Sequence, residues 1–297
     1  MSPSPFDPRA GFYEHASLAA LRLAGYQSIR VPTRSGRLHV LRGKGAGDGA
    51  PVILLHGFSS AGVHYRALMR RLRPHVRHLI APDAPGHGFS PTPSGLLSLA
   101  EMQEGLVEAL DQVSDKEPAI VYGNSMGGLL ALRYALARPE RVRGLVLCSP
   151  VGAPMTAEEM KRFLRRFRVD DHVRALAFVN RVFDSPGPLR HLLAWGVRRK
   201  FGHPTMKALL SALEPDFLLG PEDVRGLRPP VLFVWGRSER VLPPEHKEFF
   251  LAHLPPGSRV EEPPRFGHGP YLTHPDAVAE QILAFARSLA AADRPAN

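Results

Sequence analysis

The stretch Ala119-Ile-Val-Tyr-Gly-Asn-Ser-Met-Gly-Gly-Leu-Leu-Ala-Leu-Arg-Tyr-Ala-Leu-Ala-Arg138 decides how the rest of the chain is read. It opens with an apolar run of strand type, closes with a helical run that stops at Arg138-Pro139, and holds Gly123-x-Ser125-x-Gly127 between them. Strand, Gly-x-Ser-x-Gly and helix in that order is the setting of a nucleophile elbow. Such a turn strains the serine backbone, and side chains two positions to either side would collide with it, so glycine stands at 123 and 127. The hydroxyl then projects from the C-terminal edge of a sheet, at the start of a helix whose first N–H groups favour negative charge.

A serine hydroxyl is a weak nucleophile at neutral pH, so it needs a positioned base, and the base needs a partner that holds its tautomer. Of the fourteen histidines, His268 is the candidate base: it lies in Phe266-Gly-His-Gly-Pro, after the expected last strand Ser258 to Glu262 and before the last helix. The acid is expected between nucleophile and base in chain order, on a loop after a strand. Val231-Leu-Phe-Val-Trp-Gly-Arg-Ser-Glu-Arg-Val supplies Glu239, and no carboxylate follows the strand ending at Ser149. The bland alternative is a surface carboxylate paired with Arg237 or Arg240. Two backbone N–H groups must also face the developing oxyanion. One is assigned to Met126, next to the nucleophile, and the other to Phe58 in His56-Gly-Phe-Ser-Ser, where Gly57 allows a close backbone approach. His56 reads as a loop brace, and Asp83 and His87 of Pro82-Asp-Ala-Pro-Gly-His-Gly-Phe-Ser read as turn and scaffold residues.

Outward from the elbow, Ser28 to Thr33 and Arg37 to Arg42 flank Arg34-Ser-Gly and read as an antiparallel hairpin. The compact apolar runs at Val52, His78, Ala119, Leu145 and Val231 suit parallel strands covered on both faces. Helical segments are expected at His64 to Leu72, Leu99 to Val113, Ser125 to Arg138 and Asp276 to Ala291, the last with Val278, Ile282, Phe285 and Leu289 at helical spacing. Alternating strands and helices imply an α/β sheet. About eighty residues separate the strand ending at Ser149 from the one starting at Val231, far more than one crossover helix needs. The organisation is therefore 1–27 as an N-terminal helical segment, 28–152 and 223–297 as the core, and 153–222 as a helical cap. The phenylalanines of the cap and Trp195 suggest a pocket for an apolar acyl or aromatic small-molecule substrate. Phe12 to Leu23 is expected to pack on the core.

Length and composition, 297 residues with 44% apolar and 22% charged side chains, suit one core with an insertion. The net charge of +10 comes from arginines scattered among acids, which speaks to solubility and not to a nucleic-acid partner. Its densest stretch, Lys161 to Arg168, reads as a solvated helix face. The single cysteine, Cys148, reads as a buried strand residue. Ala16 to Ala24 is short for a secretory signal, is interrupted by Arg22, and follows Asp7, Glu14 and three prolines. No run could span a bilayer, so a soluble cytoplasmic protein without stable membrane insertion is the expectation. Without a Cys/His cluster, His-Glu-x-x-His or a phosphate-binding glycine loop, no metal and no cofactor is implied.

With these motifs in hand, the chain resembles the α/β-hydrolase superfamily through His56-Gly-Phe, Asp83-x-Pro-Gly-His-Gly-x-Ser90, Gly123-Asn-Ser-Met-Gly-Gly128, Trp235-Gly-x-x-Glu239 and Gly267-His268. The resemblance covers roughly residues 28 to 290. It implies a mostly parallel eight-stranded sheet flanked by helices, a helical cap insertion over the site, and a triad of Ser125, Glu239 and His268. Glu239 stands where most members with the Trp-Gly motif carry aspartate, although glutamate also serves this role in the family. Serine at the elbow separates the chain from the haloalkane dehalogenases and epoxide hydrolases, which use aspartate there. Ester, thioester and carbon–carbon bond hydrolysis stay open. The ester reading leads, because carbon–carbon hydrolases typically carry tryptophan after the catalytic histidine and this chain has Gly269. A ligand-binding homologue without turnover is the contrasting class.

Overall fold

A computed structural model describes residues 11–91, 98–114, 117–184, 186–213 and 215–292. Eight strands form one sheet: β1 (Gln27–Thr33), β2 (Gly36–Lys44), β3 (Val52–Leu55), β4 (His78–Pro82), β5 (Ala119–Asn124), β6 (Val142–Cys148), β7 (Val231–Val234) and β8 (Arg259–Glu261). Their spatial order is β1-β2-β4-β3-β5-β6-β7-β8. The hairpin β1–β2 and the β2–β4 pair are antiparallel, and the remaining neighbours are parallel. This is the α/β-hydrolase fold.

The central strands are buried on both faces, and alternation divides their side chains between two cores. Ile53, Leu55, Val121, Leu145, Leu147 and Phe233 join the core under α3 (Leu99–Val113) and α4 (Met126–Ala137). Val52, Leu54, Ile120, Tyr122, Val146 and Cys148 join the opposite core, under α2 (Arg66–Leu72) and α12 (Pro275–Ala292). Each such side chain contributes ~1.5–3 kcal/mol on burial, which explains the continuous apolar runs. The expected helical stripe of α12 is present in part: Val278, Ile282 and Phe285 are buried, and Leu289 packs partly buried against them. The first helix, α1 (Phe12–Leu23), packs on the second core through Leu18 and Leu21.

Strand order fixes where a site can lie. The chain leaves β3 towards β4 and then crosses back to lay β5 on the other side of β3. A reversal of this kind opens a crevice at the carboxyl ends of the two strands flanking it, where the loops diverge. The loop after β3 begins at His56, and the residue after β5 is Ser125.

Between β6 and β7 run α5 (Ala157–Arg165), α6 (His172–Val182), α7 (Arg190–Gly202), α8 (Pro204–Ser211) and α9 (Pro221–Arg225). Of these, α6–α8 form the helical insert. A small core of Val169, Ala175, Phe178, Val179, Ala194 and Phe201 holds it together. Thr156 and Asp171 cap α5 and α6 by accepting from the N–H groups of Glu159 and Arg174. As the sequence suggested, Lys161, Arg162, Arg165 and Arg168 are exposed. Arg166 departs from that pattern, reaching under the insert to donate to the Val241 carbonyl at 2.7 Å.

Candidate active site

Ser125 caps α4 with φ 57° and ψ −120°, a left-handed region that costs a non-glycine residue on the order of 1–3 kcal/mol. Close packing maintains it. A Cβ at Gly123 would stand 2.2 Å from the Gly127 carbonyl oxygen, and one at Gly127 would stand 2.0 Å from that of Leu55, so no side chain fits at either position. The Ser125 N–H donates to the Cys148 carbonyl at 3.1 Å, pinning the turn to β6. Cys148 is buried within that strand, as expected of a small apolar residue.

Glu239 and His268 meet across the carboxyl ends of β7 and β8. His268 Nδ1 lies 2.8 Å from Glu239 Oε2, and Glu239 Oε1 accepts from the N–H groups of Val241 at 2.7 Å and Leu242 at 3.1 Å. The Glu239 side chain is 1% exposed, so this is no surface pair with an arginine; Arg240 turns instead to Asp184. Burial pushes the carboxyl up, but the charge and hydrogen bond of His268 and the two backbone donors outweigh it and leave Glu239 below the usual carboxylate range. An ionised Glu239 accepts, so Nδ1 of His268 carries the proton and Nε2 presents its lone pair.

Asn124, to which sequence reasoning assigned no role, joins this pair to the elbow. Its amide donates to the Cys148 carbonyl at 3.1 Å and to the His268 carbonyl at 2.8 Å. The insert contributes a second brace, since the His268 N–H donates to the Val182 carbonyl, at the end of α6, at 3.1 Å. Neither partnership has a local signal in sequence, because the partners lie far apart along the chain.

The loop after β3 passes beside the serine: a Cβ at Gly57 would sit 3.3 Å from Ser125 Cβ. The first N–H of α4, at Met126, has no carbonyl a turn before it. His56 braces this loop as expected, with Nδ1 donating to the Gly57 carbonyl at 2.8 Å and Nε2 accepting from Ala84 N–H at 3.0 Å. Asp83 is a scaffold residue. It accepts from Gly62 N–H at 2.6 Å and Phe89 N–H at 2.8 Å and meets His39 Nδ1 at 2.8 Å. Its burial pushes the carboxyl up, yet His39 and these donors bring it down to about 2. His87, held by the Pro85 carbonyl, lies edge-on to Phe58, and burial lowers it to about 3.

Over Phe58 stand two rings from the helical stretch, Phe167 at 6.3 Å and Phe201 at 5.8 Å between centroids. Trp195 takes no part in this aromatic wall: it is 59% exposed, with the Arg199 guanidinium over its ring. From α1, buried Glu14 accepts from His64 Nε2 at 3.0 Å and from Lys200 Nζ of α7 at 2.5 Å. Lys200 also donates to the Ser59 carbonyl at 3.4 Å, and His64 Nδ1 meets Ser60 Oγ at 2.8 Å. One carboxylate thus ties the N-terminal helix, the insert and the loop beside Ser125.

The alpha/beta hydrolase family model matches residues 52–281. The chain belongs to the alpha/beta hydrolase family. Among curated members, it is 30% identical over 268 residues to the pimeloyl-[acyl-carrier protein] methyl ester esterase of Stenotrophomonas maltophilia (strain K279a), covering 83% of this chain and 96% of that one. It is 31% identical over 257 residues to the 2-hydroxymuconate semialdehyde hydrolase of Pseudomonas putida, covering 80% and 88%. In fold, it is similar to the crystal structure of a membrane phospholipase A, with TM-score 0.78 and 23% identity over 94% of this chain and 93% of that chain. Within this hydrolase's described residues, no helix is long and apolar enough to cross a membrane.

Proposed function

We propose that the protein hydrolyses a carboxylic ester, with Ser125 as nucleophile, His268 as general base and Glu239 as the acid that orients it. The observation that carries this reading is the buried Glu239–His268 pair, tied through Asn124 to the strained turn that presents Ser125. The esterase relative supports it.

In the proposed cycle, His268 Nε2 takes the Ser125 proton as Oγ bonds to the ester carbonyl carbon. The N–H groups of Met126 and Phe58 stabilise the resulting oxyanion. The carbon–oxygen bond to the alcohol breaks, His268 returns the proton to it, and an acyl-serine remains. Water, deprotonated by His268, adds to the acyl carbon; serine leaves with the proton and the carboxylic acid is released. Residues 153–222 act as the cap, and Phe167 and Phe201 set an apolar wall for the acyl or aromatic part of the substrate.

Turnover of p-nitrophenyl esters from acetate to palmitate by the wild type and Ser125→Ala tests the reading. Serine-dependent hydrolysis with a chain-length optimum is expected. Turnover that survives the substitution would discard the mechanism. The 2-hydroxymuconate semialdehyde hydrolase relative favours carbon–carbon hydrolysis as the second reading. Serine-dependent loss of a coloured ring-fission dienolate, with inertness towards all the esters, would select it.

A further inference from the structure

A cleft of about 950 Å³ lies among α5, α7 and α8, and neither Ser125, Glu239 nor His268 lines it. Its volume falls within the ~300–1,000 Å³ of small-molecule pockets. Leu164, Phe167, Phe201 and Leu210 give it an apolar floor. Its walls carry Lys161, Arg165, Arg168, Arg198 and Lys207, against the single acid Asp170.

The charge is not neutralised from within. Asp170 is paired with Arg174 at 2.7 Å, and Arg174 does not line the cleft. Lys161, Arg165, Arg168 and Lys207 are exposed and have no ion-pair partner among the described residues. Like charges around an apolar trough repel one another and leave hydrocarbon surface wet. A neutral chain would relieve only the second problem and a bare phosphate only the first.

We propose that this cleft binds an amphiphilic anion: an alkyl or acyl chain laid over Phe167 and Phe201, ending in a carboxylate or phosphate held by the surrounding lysines and arginines. The two rings that form the floor also face Phe58, so the chain lies one aromatic layer from the loop beside Ser125. The assignment does not depend on the esterase reading.

The experiment is fluorescence titration of the full chain with 11-(dansylamino)undecanoate below its micelle threshold. Saturable one-to-one binding is expected, with displacement by dodecyl phosphate and dodecanoate to distinguish the two head groups. Affinity should fall at least tenfold in the double variant Arg168→Glu, Lys207→Glu. It should also fall in the wild type between about 50 and about 500 mM salt, a reading that needs no variant. Prior reaction of Ser125 with diethyl p-nitrophenyl phosphate should leave probe binding intact. Four results would overturn the proposal: equal displacement by dodecyltrimethylammonium or by inorganic phosphate, unchanged affinity in the double variant, binding indifferent to salt, or loss of binding once Ser125 is blocked. Failure of the organophosphate to label Ser125 would count against the hydrolase mechanism alone, since the charge, salt and displacement tests run on untreated protein.

Discussion

Glu239 and Trp195 both stood out in the sequence, yet one is 1% exposed at the sheet edge and the other 59% exposed on α7. The contrast extends to their surroundings. At the carboxyl edge of the sheet, Glu239, Asn124, His56 and Asp83 are each held by hydrogen bonds, at or just past the ends of strands that carry a core on either face. In the insert, Val173, Leu189, Leu192 and Trp195 face outward, around a small core of its own. Groups that move protons must be fixed to a fraction of an ångström before substrate arrives. A surface that meets substrate needs apolar area and charge, and it can present both without deep burial. On the proposed reading, the two regions divide precision from recognition.

The sharpest test of that division is Glu239→Gln, which keeps shape but removes the charge bonded to His268 Nδ1. A fall in kcat of on the order of 10³–10⁴-fold, with melting temperature within a few degrees of wild type, is expected from steady-state kinetics and calorimetry. A variant that stays active would show that the buried pair is structural. Gly127→Ala comes next. Its Cβ would stand 2.0 Å from a backbone oxygen, so chemical denaturation should show a loss of at least about 3 kcal/mol.

Glu14→Gln probes the junction between the two regions. Removing the carboxylate that holds Lys200 and His64 should cost about 2 kcal/mol in denaturant titrations, the scale of charge-assisted hydrogen bonds, while ester turnover falls less than tenfold. Loss of activity beyond that would mean that the insert helps to position the loop beside Ser125.

A smaller effect tracks pH. Burial lowers His246 to about 4; Glu239 opposes the shift, and Arg166 and His268 reinforce it. The folded pKa lies below the unfolded value, so both states are neutral above about pH 6.5, and the unfolded chain takes up the proton first on acidification. Stability is lost from about pH 6.5 down to about 4, at up to roughly 1.4 kcal/mol per pH unit. His246→Gln should flatten melting temperature against pH in that window, and an unchanged slope would assign it to other groups. Trp195→Ala is expected to change stability by no more than about 0.5 kcal/mol, as for an exposed side chain. A larger loss would show that the outer face of α7 bears on the core.

Much of this architecture was legible along the chain, because strand burial and helix stripes are periodic and the elbow is a contiguous motif. The hairpin, the parallel strands and α12 follow from alternation and spacing over a few residues, as do the loops that carry Ser125, Glu239 and His268. Asn124 was not legible: its amide bonds partners 24 and 144 positions away, and nothing in Gly-Asn-Ser announces them. Glu14 counted in the sequence only as an acid ahead of Ala16, and its role emerges where α7 brings Lys200 to it. Trp195 looked like a pocket residue, because helical spacing does not say which face of an insert is covered. The sequence by itself determined which residue types sit at which strand ends, since backbone strain and burial act on neighbours. Only the tertiary structure decided which distant groups meet, because those contacts depend on how the sheet orders its strands and how the insert folds back over them.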